Sequence, residues 1–482
     1  MAAGAFWVSV DTWSGQLAQV ATFLVLSRLL GPHDYGVMGM ALIVTVGAEV
    51  LVSAGGWDDA IGRLKQFTPA HEASVFWFLL AASAVLALAV SALAPPAAWF
   101  FDTPALGSLL PWLSLQLPLS ALSVVPRARL RRELRFAPLA VRGMVSQAMA
   151  GALAVALALT GSGIWSLVVY QIVQPAVDAA VIWSAARWRP HLVFSRPALR
   201  QVLPFVGYSL ADRLIVLGDN LLQRSWVGLA LGTVALGLFT FARKIVELLL
   251  QAITRPISKV LLPSAATLRD QPERLAGLVA GAAQLAGLLI FPAATGVAMV
   301  APELVPMIVG PAWTDAVSPL QMLMVVAALA PFAQIASSLN NLAGQAALEA
   351  RLSAVSALFV SCLLLALGRG SLQGVVAALM ARTAFMLPLR FATVRYTTGL
   401  DLFRLCRPAL APLMAALVMV AALCAVRLVW PPDLSSAARL GLVVVIGCLV
   451  YGAAVLLLAK PALLAALDLV RSLGTRRRQK RA

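Results

Sequence analysis

Charge is what this 482-residue sequence has least of. Asp, Glu, Lys and Arg supply 12% of it, against roughly a quarter in an ordinary globular domain, while 61% of the residues are hydrophobic and mean hydropathy is +0.90. So few charges cannot cover a soluble surface, and so greasy a chain is not disordered. Histidine is scarcer still. His33, His71 and His191 lie far apart in the chain, so neither a His-based catalytic dyad nor a zinc site is indicated. The four cysteines, Cys362, Cys406, Cys424 and Cys448, sit in or beside apolar runs without metal-ligand spacing; they exclude a disulfide scaffold and read as small core hydrophobes. No phosphate loop of the form GxxxxGK[ST] is present, so the chain hydrolyses no ATP by itself. These absences predict a protein that is not an enzyme and needs no metal or cofactor.

What is there is a succession of apolar runs near the ~20 residues that cross ~30 Å of hydrocarbon as a helix. Fourteen are expected: Ala5 to Leu29, Gly36 to Gly56, Ser74 to Pro95, Leu106 to Val125, Leu139 to Thr160, Ile164 to Ala186, Phe205 to Leu231, Gly237 to Leu262, Leu275 to Val300, Val317 to Leu339, Leu352 to Gly368, Leu372 to Val394, Pro408 to Val429 and Leu440 to Ala459. Runs such as Val85 to Leu93 show no period of two, which excludes a β-barrel and predicts an all-α polytopic membrane protein. The first run reaches spanning length and Met-Ala-Ala-Gly-Ala lacks a basic n-region, so a signal anchor is expected in place of a cleaved signal.

The scarce charge is also lopsided, with 37 Lys and Arg against 20 Asp and Glu, a net +17. Twenty-four of the basic residues fall on the side of both termini, including Arg127, Arg129, Arg131, Arg132 and Arg135, Arg187, Arg189, Arg196 and Arg200, and the tail Arg471 to Arg481. Only Arg369 and Arg439 fall opposite, so the positive-inside rule places both termini in the cytoplasm. The tail reads as a topology signal resting on anionic headgroups, and nucleic acid is not a partner. Loops on the far side are short: 31 to 36, 161 to 163 and 368 to 371, with only 301 to 316 longer. A membrane polymerase, ligase or lipid-dependent glycosyltransferase would present a sizeable external loop with clustered acids or histidine; a transporter would not.

The remaining eleven basic residues lie in or beside spans, where a charge costs about 2.5–3.5 kcal/mol and calls for a cavity or a partner. Lys244, Glu247, Gln251, Arg255 and Ser258 fall within an arc of roughly 80° on one helix, and Arg213, Asn220 and Arg224 share a face of the preceding span, with Asp212 and Asp219 about 100° away. Asp11 and Thr22 line one side of the first span. Arg28, Glu49, Arg142, Asp178, Arg243, Lys259, Arg382 and Arg390 are isolated. Structural pairing is one reading of these charges. The surplus of cations in spans seven and eight favours another, a cationic cavity for a phosphate-bearing anion. A shift of 201 residues superposes Asp11 on Asp212, Leu30 on Leu231, Gly31 on Gly232, Gly36 on Gly237 and Ala41 on Ala242, which predicts two parallel six-helix repeats. The expected division is an N-terminal lobe over 1–190, a C-terminal lobe over 200–394, a final helix pair over 408–460 and a basic cytoplasmic tail over 461–482.

Three segments carry a family resemblance: Leu26-Ser-Arg-Leu-Leu-Gly-Pro-His-Asp-Tyr-Gly36, Gly237-Leu-Phe-Thr-Phe-Ala-Arg-Lys244 and Pro256-Ile-Ser-Lys-Val-Leu-Leu-Pro263. With the fourteen-helix plan they make the chain similar to the polysaccharide-transporter branch of the multidrug/oligosaccharidyl-lipid/polysaccharide (MOP) exporter superfamily, especially Wzx-type and colanic-acid-type lipopolysaccharide and exopolysaccharide exporters. The resemblance implies flipping of an undecaprenyl-diphosphate-linked oligosaccharide from the cytoplasmic to the periplasmic leaflet by alternating access. Membrane lipids, a polysaccharide polymerase and other assembly proteins are the partners it implies. On this reading Arg213, Arg224, Lys244 and Arg255 hold the diphosphate, while Asp11, Asp219 and Glu247 balance charge or couple an ion. The alternatives are a multidrug-type cation antiporter of the same superfamily, which would favour acidic, aromatic cavities, and a non-transporting scaffold of a polysaccharide assembly complex.

Overall fold

Backbone N–H and C=O groups in hydrocarbon must be satisfied within the chain, and apolar runs without a period of two can do this only as helices. The computed structural model bears this out. It describes residues 2–54, 56–63, 68–268, 271–429 and 435–458, and among them there is no strand. Two compact units divide the chain, Met1–Thr240 and Phe241–Ala482.

The first unit holds α1 (Ala2–Leu29), α2 (Pro32–Glu49), α3 (Trp57–Arg63), α4 (Pro69–Ala92), α5 (Ala94–Phe100), α6 (Ala105–Ser114), α7 (Gln116–Arg132), α8 (Phe136–Leu159) and α9 (Trp165–Ala186). A π-helical turn over Val50–Ala54 continues α2. The next helix, α10 (Arg196–Thr267), runs from this unit into the second and is broken at Gly232, whose φ of 85° and ψ of −178° are not helical. The second unit continues with α11 (Pro272–Ile308), α12 (Val317–Leu342), α13 (Ala346–Leu367), α14 (Leu372–Thr398), α15 (Leu402–Leu405), α16 (Leu410–Leu428) and α17 (Ser436–Leu458).

Among the described residues twelve segments are long and apolar enough to cross a membrane, where the sequence led us to expect fourteen. The difference lies in the run forming α1, which is not among the twelve, and in α10, which the sequence divides after Leu231, where the break at Gly232 falls. Helices also begin earlier and end later than expected. The turn over 31 to 36 is largely the first turn of α2: Gly31 is the N-cap, Pro32 needs no N–H partner at the first helical position, and Asp34 suits the positive end of the helix dipole. Arg129, Arg131 and Arg132, read as loop, form the last turn of α7, where cations face the negative end. The interval 301 to 316 is the end of α11 followed by a 3₁₀ turn over Pro311–Ala316. The basic tail 461–482 lies outside the described residues.

Each unit has its own core. In the first, the ring of Phe76 meets those of Trp183 and Trp188 at 5.9 and 5.3 Å, within a buried cluster that includes Ile61, Leu79, Val125, Leu130 and Val202. Trp188 also donates Nε1–H to Glu72 Oε2 at 2.6 Å, and Arg129 reaches the same oxygen at 3.4 Å, so one buried carboxylate ties α4 to α7 and to the end of α9. In the second unit Phe291 stacks on Phe332 at 5.7 Å, among Val279, Ile290, Ile335, Val394 and Leu402.

Candidate functional site

Helix α10 carries most of the sequence-predicted site, and its break separates two polar faces. Before Gly232, Arg213 is exposed, whereas Asp219, Asn220 and Arg224 are half-buried. Gln223 donates Nε2–H to Asp219 Oδ2 at 2.9 Å across one helical turn. Gln223 itself is 1% exposed, and its Oε1 has no hydrogen-bond donor among the described residues. Beyond the break, Lys244 Nζ lies 3.4 Å from Glu247 Oε2, and Gln251 donates Nε2–H to Glu247 Oε1 at 2.6 Å. The stripe expected from the 3–4 spacing is therefore a physical row of side chains. Lys244 carries an ion pair on its own helix, which Glu247, 48% exposed, only partly neutralises. The side chains of Asp11, Asp212, Arg255 and Lys259 lie outside the described residues.

Several isolated charges turn out to be structural pairs. Arg142 on α8 donates to Asp178 on α9 at 2.7 Å. Arg390 on α14 pairs with Glu349 on α13, which also accepts from Asn340 Nδ2 of α12 at 3.2 Å; Thr397 then donates to Asn340 Oδ1 at 3.1 Å. Arg427 on α16 binds both carboxylate oxygens of Glu303 on α11, at 2.7 and 2.9 Å. For these cations the pairing reading holds. The sequence did not single out the acids Glu72, Glu303 and Glu349. Glu72 and Glu349 sit in the first turn of their helices, where a carboxylate reads as an exposed dipole partner, and nothing local in sequence reveals the arginine opposite.

A second feature has no counterpart in the sequence reading. Between α11, α16 and α17 lies an apolar cavity of about 280 Å³, lined by Pro292, Gly296, Val300, Met419, Leu423, Val443, Gly447 and Tyr451. Its walls offer an acyl or prenyl chain dispersion contacts and almost no hydrogen-bonding group. Among the described residues no group of three His, Cys, Asp or Glu side chains could hold a metal ion.

Residues 25–318 match the family described as polysaccharide biosynthesis protein. The succinoglycan biosynthesis transport protein ExoT of Rhizobium meliloti is 26% identical over 301 residues, which are 61% of this chain and 60% of that protein. The lipopolysaccharide biosynthesis protein WzxC of Escherichia coli is 25% identical over 339 residues, 68% of this chain and 66% of that protein. The matches thus span slightly under two thirds of these two relatives. Among solved structures, the lipid II flippase MurJ in an inward closed conformation superposes with a TM-score of 0.73 at 11% identity, covering 98% of this chain and all of that one. A multidrug resistance MATE transporter of the MOP superfamily, inward-facing, gives 0.64 at 17% identity over 83% and 99%. At these identities the likeness is one of fold.

Proposed function

We propose, from the premise that this chain belongs to the family of polysaccharide biosynthesis proteins, that it moves a polyprenyl-diphosphate-linked oligosaccharide across the bacterial inner membrane, from the cytoplasmic to the periplasmic leaflet. The observation that carries the reading is the surplus of cations along α10. The helix carries Arg213, Arg224, Arg243, Lys244, Arg255 and Lys259 against only Asp212, Asp219 and Glu247 in its two spans, so pairing among these groups would leave positive charge over. Arg forks fit phosphate oxygens bidentately, and a diphosphate matches a helix on which cations outnumber acids. The apolar cavity beside α16 and α17 supplies the chemistry that a prenyl chain needs.

In this mechanism Arg213, Arg224, Lys244 and Arg255 hold the diphosphate, and Asp11, Asp219 and Glu247 balance the charge or couple an ion. The lipid tail stays in hydrocarbon while the head crosses inside protein, which avoids the cost of bringing a diphosphate through the bilayer centre. Both termini face the cytoplasm, the side that carries most of the arginines. A carrier of this kind only speeds equilibration, so net export requires an ion gradient or consumption of the product. A membrane polymerase acting on the outer leaflet is the partner that would consume it.

The double variant Arg213→Glu with Arg224→Glu tests the reading. With normal expression, lipid-linked repeat units should accumulate on the cytoplasmic side and polymer export should fall at least about 100-fold, as expected when two charge-assisted contacts worth ~1.5–3 kcal/mol each turn repulsive. Undiminished export would remove the cationic row from the mechanism.

A further inference from the structure

The 201-residue shift that superposes Gly36 on Gly237 also superposes Pro32 on Thr233, and the structure turns this arithmetic into a contact. A Cβ added to Gly36 would lie 1.8 Å from the carbonyl oxygen of Thr233; a Cβ added to Gly237 would lie 1.8 Å from the carbonyl oxygen of Pro32. The two contacts are reciprocal: residue i of the first hairpin meets residue j of the second, and the counterpart of i meets the counterpart of j. That is the signature of a two-fold axis between equivalent segments. A third pair lies on the same axis. Gly39 and Thr240 are also 201 residues apart, and a Cβ on Gly39 would sit 3.3 Å from Thr240 Oγ1. Leu236, fully buried, packs against Gly39 from the same side.

Backbone-to-backbone approach of this kind is open only to glycine, since any side chain at 36 or 237 would have to pass through a carbonyl. The turn as such does not require it. Gly31, in the same hairpin, has open space around its Cβ position, and α2 would begin at Pro32 whatever residue stood at 36. Glycine at both equivalent positions therefore serves the meeting of the two hairpins. The seam lies at the N-terminal end of α2 and just past the break in α10, at the end of these helices away from the basic loops.

We infer that Gly36 and Gly237 form a closing seam for the outer end of the transport path, a matched pair of positioning residues that lets the two repeat hairpins seal against each other and part once per cycle. The inference rests on the transport reading and orientation proposed above. A seam held by two reciprocal carbonyl contacts and one apolar residue closes tightly, and each such weak contact costs little to break. An added methyl at either glycine should hold it ajar.

The test uses the full-length chain with its four cysteines replaced by serine and the reporter Leu236→Cys, probed in intact cells with a membrane-impermeant maleimide. With both glycines present, labelling should be slow. In Gly36→Ala and in Gly237→Ala it should accelerate about tenfold or more, corresponding to a shift of the closed–open equilibrium by ~1.4 kcal/mol, and in the Gly31→Ala control it should not change. The double variant should label no faster than the faster single one, since a seam already wedged open gains nothing from a second wedge. Unchanged labelling in both single variants, at normal expression and thermal midpoint, or fully additive acceleration, would overturn the seam. A second arm forces no wedge. Gly39→Cys with Thr240→Cys places two thiols within disulfide reach; oxidation with copper–phenanthroline should cross-link them, visible as a reductant-sensitive mobility shift, and should stop export until reduced. A complete cross-link with export undiminished would show that the seam need not open. The labelling and mobility readouts do not depend on what is carried, so loss of the transport reading would leave the closure measurable.

Discussion

Arg142 and Asp178 show what a buried charge does at the scale of one residue. Both side chains are mostly shielded, 20% and 15% exposed, and their 2.7 Å contact joins α8 to α9. Removing one partner strands the other in a low-dielectric setting, whereas removing both exchanges desolvation cost for packing. Arg142→Met alone should lower unfolding stability in detergent by about 3 kcal/mol, and Arg142→Met with Asp178→Leu should recover most of it; equal losses would mean that the pair is solvated. Outside the spans the same chemistry is weak. Arg129 donates to Glu133 at 2.9 Å, and this hydrogen bond holds the exposed Glu133 carboxyl below its usual range. A lowered carboxylate pKa stabilises the fold fully above the ordinary value and ceases to do so as pH falls through the lowered one. The contribution should therefore fade below about pH 4, and Glu133→Gln should remove that part of the acid dependence of unfolding while leaving neutral-pH stability nearly unchanged.

Among elements, α10 is the informative one. It reads as two spans in sequence, and in space two helical stretches meet at Gly232, where φ 85° with ψ −178° is a region that only glycine enters cheaply. Gly232→Ala has open space for its methyl group, so its cost is backbone strain alone, about 1–3 kcal/mol, readable as a lowered unfolding midpoint with the protein still inserted. Gly31, 201 residues earlier, stands in the corresponding turn with an ordinary φ of −84°, so the equivalent Gly31→Ala should cost less than half as much. The helix pairs α8–α9 and α13–α14 make a related point. Each is joined by an ion pair, with the arginine on the first helix in one and on the second in the other, so either order of cation and anion can tie two neighbouring helices.

For the whole molecule, orientation is the property that composition predicts most directly. A cysteine introduced at Gly370, in the short loop before α14, should react with an impermeant maleimide in intact cells, and one at Arg196, at the start of α10, only after permeabilisation; the reverse pattern would invert the proposed direction of transport. The sequence by itself determined the membrane, the all-helical class and the family, because hydrocarbon leaves the backbone no alternative and the hairpin motifs are local. It also put Lys244, Glu247 and Gln251 on one face of α10, since the 3.6-residue period alone requires it, and the three are in contact. It left undecided which charges bind a ligand and which bind each other. Arg142 and Arg390 stand isolated in the sequence, and only the fold brings each to an acid 36 or 41 residues away. Only the tertiary structure could show that Gly36 and Gly237, a faint coincidence in a self-comparison, are where two carbonyls come too close for any other residue. Pairing and steric exclusion depend on what lies across a gap, and a sequence records only neighbours along the chain.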